Sequence, residues 1–298
     1  MSTTISSTNT SNENNNIVWY VTGASKGLGL ELVKKLVQDG FKVVATTRSK
    51  QLLIDNLGQH YNAEQVLPLV VDLLNEESIK QSISDSLAKF AKIDIVVNNA
   101  GYALMGAFES ITDQEARSQF DVNVFGVFNV IRNVLPHLRN NKTTEHGPHI
   151  FNISSIAGFS GAFPNGSVYG ATKFALDGVT QHLQTELKPF GINVTSVLPG
   201  VFRTEILDPK SMVVAKQNPD YSSSQEFVNQ FSQLLNSDKV GDPSKLAALL
   251  IKVSKEKNPP LTLPIGPDSF GLFEKRIQDI QKDLIDYKDE STSTNFSN

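Results

Sequence analysis

Residues 17–29 read IVWYVTGASKGLG, and this stretch decides the fold. The first five residues form an apolar run rich in β-branched and aromatic side chains, which predicts a buried strand. The next eight contain Gly23, Gly27 and Gly29 and lead directly into a helical pattern. Glycines allow a tight turn there, and the positive end of the helix dipole favours anions. The stretch therefore predicts a strand, a phosphate-binding turn and a helix.

The same alternation of apolar runs and helical patterns continues along the chain. Helical spacing follows the first run over residues 28–39 and recurs over 169–189. Seven runs are predicted as strands, at residues 17–21, 41–46, 66–71, 93–98, 149–153, 192–198 and 261–265. The first six are almost continuously apolar, as expected for strands covered on both faces. This alternation predicts one α/β domain with a doubly wound (Rossmann) parallel sheet of about seven strands.

We place this Rossmann domain at residues 16–290. Within it, residues 205–240 interrupt the alternation and are interpreted as a substrate-loop region, and 266–289 are predicted as a C-terminal helix. The flanking segments 1–15 and 291–298 are polar. We predict that both are disordered tails, because such segments cannot bury enough apolar surface to offset the entropy of ordering.

Composition excludes several classes of protein. The 298 residues include 27 Lys and Arg, 31 Asp and Glu, and no Cys, which gives a formal net charge of −4. Without Cys there is no disulfide scaffold, thiolate nucleophile or Cys-ligated metal, and we expect a reducing compartment, the cytoplasm. The acidic balance argues against nucleic acid as a partner. No signal peptide and no long apolar run is recognised, so no transmembrane segment is predicted.

The end of the second predicted strand distinguishes between two nicotinamide cofactors. Proteins that bind NAD commonly carry an acidic residue about 20 residues beyond the glycines, where it holds a ribose hydroxyl. Here that position reads Thr46-Thr47-Arg48 and has no carboxylate. Arg48 and Lys26 instead offer positive charge to a 2′-phosphate. The pattern favours NADP(H) over NAD(H).

Later motifs resemble those of the short-chain dehydrogenase/reductase family. They are, in chain order, Asp72, Asn98-Asn99-Ala100-Gly101, Asn123, Ser154-Ser155, Tyr169-Gly170-Ala171-Thr172-Lys173 and Pro199-Gly200. The resemblance is dense over residues 17–205 and thins toward the C-terminus. The length of the C-terminal half and its segment LPIGPDSFGLFEKRI (263–277) resemble the branch of 17β-hydroxysteroid and retinol dehydrogenases. The family resemblance implies hydride transfer between a nicotinamide cofactor and a carbonyl or alcohol. Homodimers and homotetramers both occur in such a family, and the sequence does not choose between them.

Tyr169 and Lys173 are four residues apart and therefore share one helix face. An isolated phenol has a pKa near 10, and a neighbouring ammonium together with an oxidised nicotinamide is expected to lower the pKa of Tyr169. Tyr169 is thus predicted as the general acid and base. The resemblance implies that Ser155 hydrogen-bonds the substrate oxygen, that Lys173 also holds the nicotinamide ribose, and that Asn123 supports a water linked to Lys173.

Ser154 and Ser155 are both candidates for the serine role. Ser155 precedes Tyr169 by 14 residues, one more than the usual family interval, and Ser154 is one residue further away. The loop between them contains Gly and Pro and can absorb an extra residue. We therefore prefer Ser155.

The resemblance also implies a set of cofactor-binding residues. These are Gly23, Ser25, Lys26, Gly27, Leu28, Gly29, Arg48, Asp72, Asn99, Ala100, Gly101, Tyr169, Lys173, Pro199, Gly200, Val201 and Thr204. Within this set, Asp72 is expected to approach the adenine ring, and Val201 and Thr204 are expected to bond the nicotinamide carboxamide.

Candidate substrate-pocket segments are residues 102–105 and 159–163, together with Phe202, Ile206 and Leu207. They are apolar and aromatic, which suits a small hydrophobic alcohol, ketone or aldehyde, although the same residues could simply be core. A steroid, a retinoid, a lipid aldehyde and a xenobiotic ketone all remain open.

Three other functions make different demands on the sequence. A serine hydrolase would need a G-x-S-x-G turn, which is absent around Ser155. A metal site at His146 and His149 lacks a supporting carboxylate cluster, so no metal is predicted. A non-catalytic NADPH-binding regulator on the same fold is the remaining alternative, since fold does not fix function.

Overall fold

The computed structural model describes residues 14–141, 147–204, 212–221 and 240–296. Its centre is a parallel sheet of seven strands. These strands are β1 (Val18–Val21), β2 (Lys42–Thr47), β3 (Val66–Val70), β4 (Ile95–Asn98), β6 (His149–Ile153), β7 (Asn193–Pro199) and β9 (Thr262–Ile265). Two further strands, β5 (Leu104–Met105) and β8 (Val213–Val214), form a separate two-stranded parallel sheet.

Helices connect the strands and cover both faces of the sheet. They are α1 (Gly27–Gln38), α2 (Lys50–Leu57), α3 (Glu76–Phe90), α4 (Asp113–Phe120), α5 (Gly126–Asn140), α6 (Ala157–Ser160), α7 (Ser167–Leu187), α8 (Pro243–Val253), α9 (Pro267–Asp286) and α10 (Lys288–Thr292). A π-helical turn, Asp121–Phe125, joins α4 to α5. Short 3₁₀ turns occupy Gly58–His60, Phe108–Ser110 and Lys188–Phe190.

The strand order is β3-β2-β1-β4-β6-β7-β9, so the direction of winding reverses between β1 and β4. In sheets of this kind the ligand crevice lies beyond the carboxyl ends of the strands at that reversal. The register brings Val21 beside Val97, and Asn98 beside Asn152. The chain segments that leave β1, β4 and β6 therefore emerge at one edge of the sheet.

Adjacent residues of β1 enter two different core layers. Trp19 contacts Phe41 and Phe151 in the layer that includes α1 and α8, whereas Tyr20 lies in the layer that includes α3, α5 and α7. All of these side chains are fully buried. Each large apolar side chain buried in this way contributes about 1.5–3 kcal/mol. Two-sided burial explains why the strands read as continuous apolar runs.

The fold class predicted from the sequence is confirmed, and all seven predicted strands of the large sheet occur within two residues of their predicted ends. The β5–β8 pair was not predicted. The structure differs from the predicted tails at two points. Asn14, predicted as part of the N-terminal tail, is buried, and α10 extends to Thr292, within the predicted C-terminal tail. Residues 1–13, most of the predicted substrate loop (including Ile206 and Leu207) and His146 lie outside the described residues.

Over the residues that the structure describes, no helix is both long enough and apolar enough to cross a bilayer. Within the same ranges, no group of three or more His, Asp or Glu side chains is arranged to hold a metal ion. His149 itself lies inside β6, where its ring stacks on Phe151. Its environment is thus that of a core residue.

Candidate active site

The glycine-rich turn after β1 packs directly against the turn after β4. Gly23 has φ +65°, and a Cβ there would lie 2.8 Å from Cα of Ala100. A Cβ on Gly29 would lie 2.4 Å from Nδ2 of Asn99. Neither position has room for a larger side chain. The glycines therefore allow two predicted cofactor-binding segments to touch each other.

Thr22 and Asn99 hold these two turns together. The backbone N–H groups of Asn99 and Ala100 both donate to Oγ1 of Thr22 at 3.0 Å. In return, Nδ2 of Asn99 donates to the carbonyl oxygens of Thr22 and Gly23 at 2.9 and 3.1 Å. Sequence reasoning missed Thr22, although its place at the end of an apolar strand, just before the first glycine, was a usable signal.

The N-terminus of α1 has the properties of an anion site. Its N-cap residue, Lys26, makes no side-chain capping hydrogen bond, and its first turn contains no acidic residue. Four other helices, α2, α3, α4 and α8, are capped by their own side chains, namely Ser49, Asn75, Thr112 and Asp242. An uncapped helix start beside a glycine turn fits the phosphate groups of a dinucleotide.

Arg48 and Asp72 lie at the same edge of the sheet, just beyond the ends of β2 and β3. The N–H of Ala24 donates to the carbonyl of Thr46 at 2.9 Å, which links the glycine-rich turn to the strand end that leads to Arg48. Arg48 itself is exposed. Oδ1 of Asp72 accepts the N–H of Leu74 at 3.0 Å, so one carboxylate oxygen stabilises its own turn.

Tyr169, Lys173 and Ser155 come together where α7 passes the end of β6. The Nζ of Lys173 lies 5.7 Å from the ring centroid of Tyr169 and donates to the carbonyl of Ile153 at 2.8 Å. The Lys173 side chain is buried, and this burial lowers its pKa to about 8. The amine is therefore fixed one helical turn from the phenol.

The pKa of Tyr169 is shifted upward by the protein. Desolvation raises the pKa of the phenol, and a side-chain hydrogen bond with Ser155 lowers it by a smaller amount. The chain's own groups thus raise this pKa, and the lowering expected from Lys173 together with an oxidised nicotinamide stays a prediction. The pKa rises because the same burial that brings the groups together also disfavours the phenolate.

The structure separates the two candidate serines. The hydroxyl of Ser154 donates to the backbone carbonyl of Lys173 at 2.9 Å, and this serine is buried. Oγ of Ser155 accepts the N–H of Ala157 at 3.1 Å, and the Ser155 side chain lowers the pKa of Tyr169. Ser154 thus anchors α7 to β6, while Ser155 is the serine that acts on the phenol.

Asn123 lies in the π-helical turn, close to the buried amine. Its Nδ2 donates to the carbonyl of Tyr102 at 3.0 Å and to Oγ1 of Thr172 at 3.1 Å, and its Oδ1 accepts the N–H of Tyr102 at 3.1 Å. A Cβ on Gly101 would lie 3.0 Å from this Oδ1 and 3.8 Å from Nζ of Lys173. Gly101 therefore lies next to both Asn123 and Lys173, in a place with little room for a side chain.

In the segment after β7, the backbone of Val201 is hydrogen-bonded within the protein. Its N–H donates to Oδ2 of Asp268 at 2.7 Å, and its carbonyl accepts the N–H of Gly241 at 2.8 Å. Both backbone groups of Val201 thus have partners within the protein, and its contact with the nicotinamide carboxamide stays a prediction. Oγ1 of Thr204 contacts the carbonyl of Phe202 at 3.5 Å. Sequence reasoning did not identify Asp268.

The candidate pocket segments include residues that belong to the core. Leu104 is buried in a small cluster with Val168 and Ala215, against which Tyr102 packs. Phe159 stacks on Phe273 of α9, with ring centroids 4.2 Å apart. The apolar residues of these segments therefore also pack within the protein core.

A family model described as short chain dehydrogenase matches residues 17–214. The chain is 36% identical over 252 residues to the oxidoreductase BOA17 of Botryotinia fuckeliana, with 85% of this chain and 89% of that protein covered. It is 34% identical over 269 residues to the 3-ketodihydrosphingosine reductase of Bacteroides thetaiotaomicron, with coverage of 90% and 94%. These matches span almost the whole of each relative.

Solved structures show the same architecture. A short-chain dehydrogenase from Streptomyces avermitilis matches with a TM-score of 0.82 and 32% identity, covering 94% of this chain and 100% of that one. A 3-ketoacyl-(acyl-carrier-protein) reductase from Brucella melitensis complexed with NADH has a TM-score of 0.70, 26% identity and coverage of 83% and 95%. A Pseudomonas aeruginosa RhlG/NADP complex has a TM-score of 0.70, 26% identity and coverage of 84% and 94%. Both nicotinamide cofactors thus occur among similar structures.

Proposed function

Since the chain belongs to the short-chain dehydrogenase/reductase family, we propose that it is an NADP(H)-dependent oxidoreductase acting on an apolar small molecule. The reaction interconverts a carbonyl group and a primary or secondary alcohol. One observation carries the proposal: the buried amine of Lys173 is fixed one helical turn from Tyr169, and the Ser155 side chain acts on the same phenol and lowers its pKa. These groups are the donor and the supports that carbonyl reduction needs.

Each side chain has a distinct role in this proposal. The cofactor supplies the hydride when it is bound. Tyr169 donates its phenolic proton to the developing alkoxide during reduction, and the phenolate accepts that proton during oxidation. Ser155 donates a hydrogen bond to the substrate oxygen as negative charge develops there. Desolvation raises the pKa of Tyr169, and we propose that the Lys173 ammonium favours the phenolate against it once the cofactor is bound.

Asn123 has a supporting role. Its side chain bonds both backbone groups of Tyr102 and the hydroxyl of Thr172, the residue just before Lys173. We propose that it fixes α7 against the π-helical turn and holds water near the Lys173 amine, so that a proton can be replaced after turnover.

The cofactor is proposed to lie along the carboxyl edge of β1, β2 and β4. The amides of residues 23–29 would hold the phosphates, and Arg48 would pair with a 2′-phosphate. Asp72 and residues 99–101 would line the adenosine, and the segment after Pro199 would face the nicotinamide. The preference for NADP(H) is supported by the strand end Thr46-Thr47-Arg48, which lacks a carboxylate.

The substrate class proposed is an apolar ketone or aldehyde, or the matching alcohol. It is supported by the apolar residues 102–105 and by Phe159, which lie beyond the sheet edge. A relative named 3-ketodihydrosphingosine reductase adds a long-chain ketone to the candidates. A substrate panel should therefore include 3-ketodihydrosphingosine beside steroid, retinoid and quinone carbonyls.

The test is to follow NADPH absorbance with purified protein against that panel, with NADH in parallel. We expect turnover with at least one apolar carbonyl, faster with NADPH than with NADH. Protein that binds NADPH yet reduces no carbonyl would contradict the enzymatic proposal. That outcome would favour the alternative, a non-catalytic NADPH-binding regulator.

A further inference from the structure

The start of α9 holds the turn that follows β7. Oδ2 of Asp268 accepts the N–H of Val201 at 2.7 Å. The next residue, Ser269, is fully buried, and its hydroxyl donates to the carbonyl of Leu198 at 2.7 Å. Two consecutive side chains of α9 thus bind the backbone on either side of Pro199-Gly200. This link joins the C-terminal helix to a segment 67 residues earlier in the chain.

The contact leaves no space for a larger residue in the turn. A Cβ on Gly200 would lie 2.2 Å from each carboxylate oxygen of Asp268. Gly266, with φ +104°, turns the chain from β9 into α9, and a Cβ there would lie 2.7 Å from Oδ1 of Asp268. Glycine at both positions therefore makes room for the carboxylate. The turn and the acid fit each other as one unit.

The same turn lies next to the proposed catalytic serine. The carbonyl of Pro199 accepts the N–H of Ile156 at 3.1 Å, and Ile156 directly follows Ser155. On the other side, the carbonyl of Val201 accepts the N–H of Gly241 at 2.8 Å. A hydrogen bond from a backbone N–H to a carboxylate is charge-assisted and stronger than a neutral one. Asp268 thus contributes a strong single constraint on the position of residues 199–201.

We infer that Asp268 is a positioning residue for the nicotinamide end of the cofactor. It acts through the Val201 N–H, which fixes the backbone that the cofactor's reactive ring must meet. The inference rests on the proposed function, because it assigns the turn after β7 to the nicotinamide. It predicts a defect that is confined to ligands containing that ring.

The experiment compares Asp268→Ala and Asp268→Asn with wild type. Thr112→Ala is the matched control, because Thr112 also accepts a backbone N–H at a helix start (Glu115, 3.2 Å) but belongs to α4. Binding is measured by calorimetry for NADPH and NADH. It is also measured for 2′-phospho-ADP-ribose and ADP-ribose, the fragments that lack nicotinamide. KM and kcat are measured for the preferred cofactor.

We expect Asp268→Ala to weaken binding of the preferred dinucleotide about tenfold, corresponding to about 1.4 kcal/mol, and to leave its fragment within about twofold. Asp268→Asn retains an oxygen acceptor without the charge, so its loss should be about threefold and again confined to the dinucleotide. In both variants KM for the cofactor should rise more than kcat falls. Thr112→Ala should lose thermal stability without a change in either affinity.

An Asp268→Ala variant that binds the dinucleotide within twofold of wild type would overturn the inference. Equal losses for dinucleotide and fragment would also overturn it, because they would indicate general unfolding. If Asp268→Ala does not fold, Asp268→Asn is used instead. Equal losses of affinity for the dinucleotide and for its fragment in that variant would again overturn the inference. Wild-type protein that binds neither dinucleotide would overturn the proposed function and this inference together, a result distinct from failure of the inference alone.

Discussion

At the residue scale, Tyr169 is the side chain on which the proposed chemistry depends. Tyr169→Phe removes only the hydroxyl, so we expect turnover to fall by at least about 10²-fold, since general acid–base catalysis commonly contributes 10²–10⁴-fold. Affinity for NADPH should change little, because the ring remains. Turnover is measured by NADPH absorbance and binding by calorimetry, with Tyr61→Phe as the control. Unchanged turnover would refute the role as proton donor.

Arg48 is the residue that tests the cofactor preference. Arg48 is exposed and directly follows β2, and the end of this strand, Thr46-Thr47, contains no carboxylate. Arg48→Ala should weaken NADPH binding by about tenfold or more, because a charge-assisted contact with a phosphate is lost. NADH binding should change by less than about twofold. The control is Arg132→Ala, on α5, and equal losses for both cofactors would contradict the preference for NADP(H).

Lys173 carries a stability cost that follows from its burial. Its folded-state pKa of about 8 lies below the usual lysine value of 10.5, so the unfolded chain holds the proton more firmly than the folded one. The stability of the fold therefore rises with pH between about 8 and 10.5 and is lowered below pH 8. The shift corresponds to roughly 3 kcal/mol, partly offset by the hydrogen bond to Ile153.

Lys173→Met should consequently lose turnover and gain thermal stability in the absence of cofactor. We expect Tm at pH 7 to rise by roughly 3 °C, and this gain should shrink as the pH is raised toward 9.5. Differential scanning calorimetry measures both, with Lys34→Met at the protein surface as the control. A variant less stable than wild type at pH 7 would show that the hydrogen bond outweighs the burial of the charge.

Some site residues could be predicted from the sequence and others could not. The four-residue spacing of Tyr169 and Lys173 is local, so helical geometry alone places them on one face. The pKa direction of Tyr169 could not be predicted, because desolvation depends on what surrounds the ring. Asp268 could not be predicted either, since its partner Val201 is distant in the chain and the contact exists only after α9 docks.

At the scale of secondary-structure elements, the strands were predictable because they are apolar runs, and β1, β4 and β6 are buried at every position. The run 149–153 matches β6 at both ends. The two-residue strands β5 and β8 were not predictable, because each is very short and forms only by pairing with a segment more than 100 residues away in the chain. The π-helical turn at Asp121–Phe125 was likewise not predicted, because a search for a period of 3.6 residues does not distinguish it from an α-helix. This turn carries Asn123.

Strand β6 contains a buried titratable group, His149. Its Nε2 lies 2.9 Å from Oγ1 of Thr195, whose own hydroxyl donates to the carbonyl of Pro260 at 2.6 Å, so His149 is the donor in the first of these bonds. Burial lowers the pKa of His149 to about 3, against about 6.5 in an unfolded chain. The neutral ring is therefore required in the folded state.

The sign of the resulting pH dependence follows from this shift. Below pH 6.5 the unfolded chain binds a proton that the folded chain does not, so the free energy of unfolding should fall by about 1.4 kcal/mol per pH unit from this group alone. His149→Gln should show a shallower decline between pH 6 and 4, measured by urea denaturation. The exposed His182→Gln variant is the control. Parallel curves for His149→Gln and wild type would contradict the assignment.

At the scale of the whole molecule, the order of elements was predictable and the closing contacts were not. An alternating chain with a reversal of winding places its ligand crevice at one sheet edge, whatever the individual side chains are. The sequence cannot tell which distant segments then seal the fold. Asn14 illustrates this, because its polar surroundings in the sequence predicted a tail, whereas the structure shows a buried side chain.

Asn14 joins two helices of the same layer. Its Nδ2 donates to the carbonyl of Asp39 at the end of α1, at 2.8 Å, and its Oδ1 accepts from Nζ of Lys255, just beyond α8, at 3.0 Å. The Lys255 amine also lies 5.3 Å from the ring centroid of Phe41. One amide thus links the chain's N-terminal part, its first helix and its C-terminal third.

Asn14→Ala should therefore destabilise the whole domain although it lies far from the proposed chemistry. Loss of two hydrogen bonds, one of them to a charged group, should cost about 1–3 kcal/mol. For a domain of this size that corresponds to a fall in Tm of roughly 3–10 °C. The neighbouring Asn15 is exposed, so Asn15→Ala should leave Tm within about 1 °C and is the matched control. Equal Tm values for the two variants would show that residue 14 is not part of the cooperative fold, whereas a fall confined to Asn14→Ala, with cofactor affinity retained, would establish it as a structural link independent of the active site.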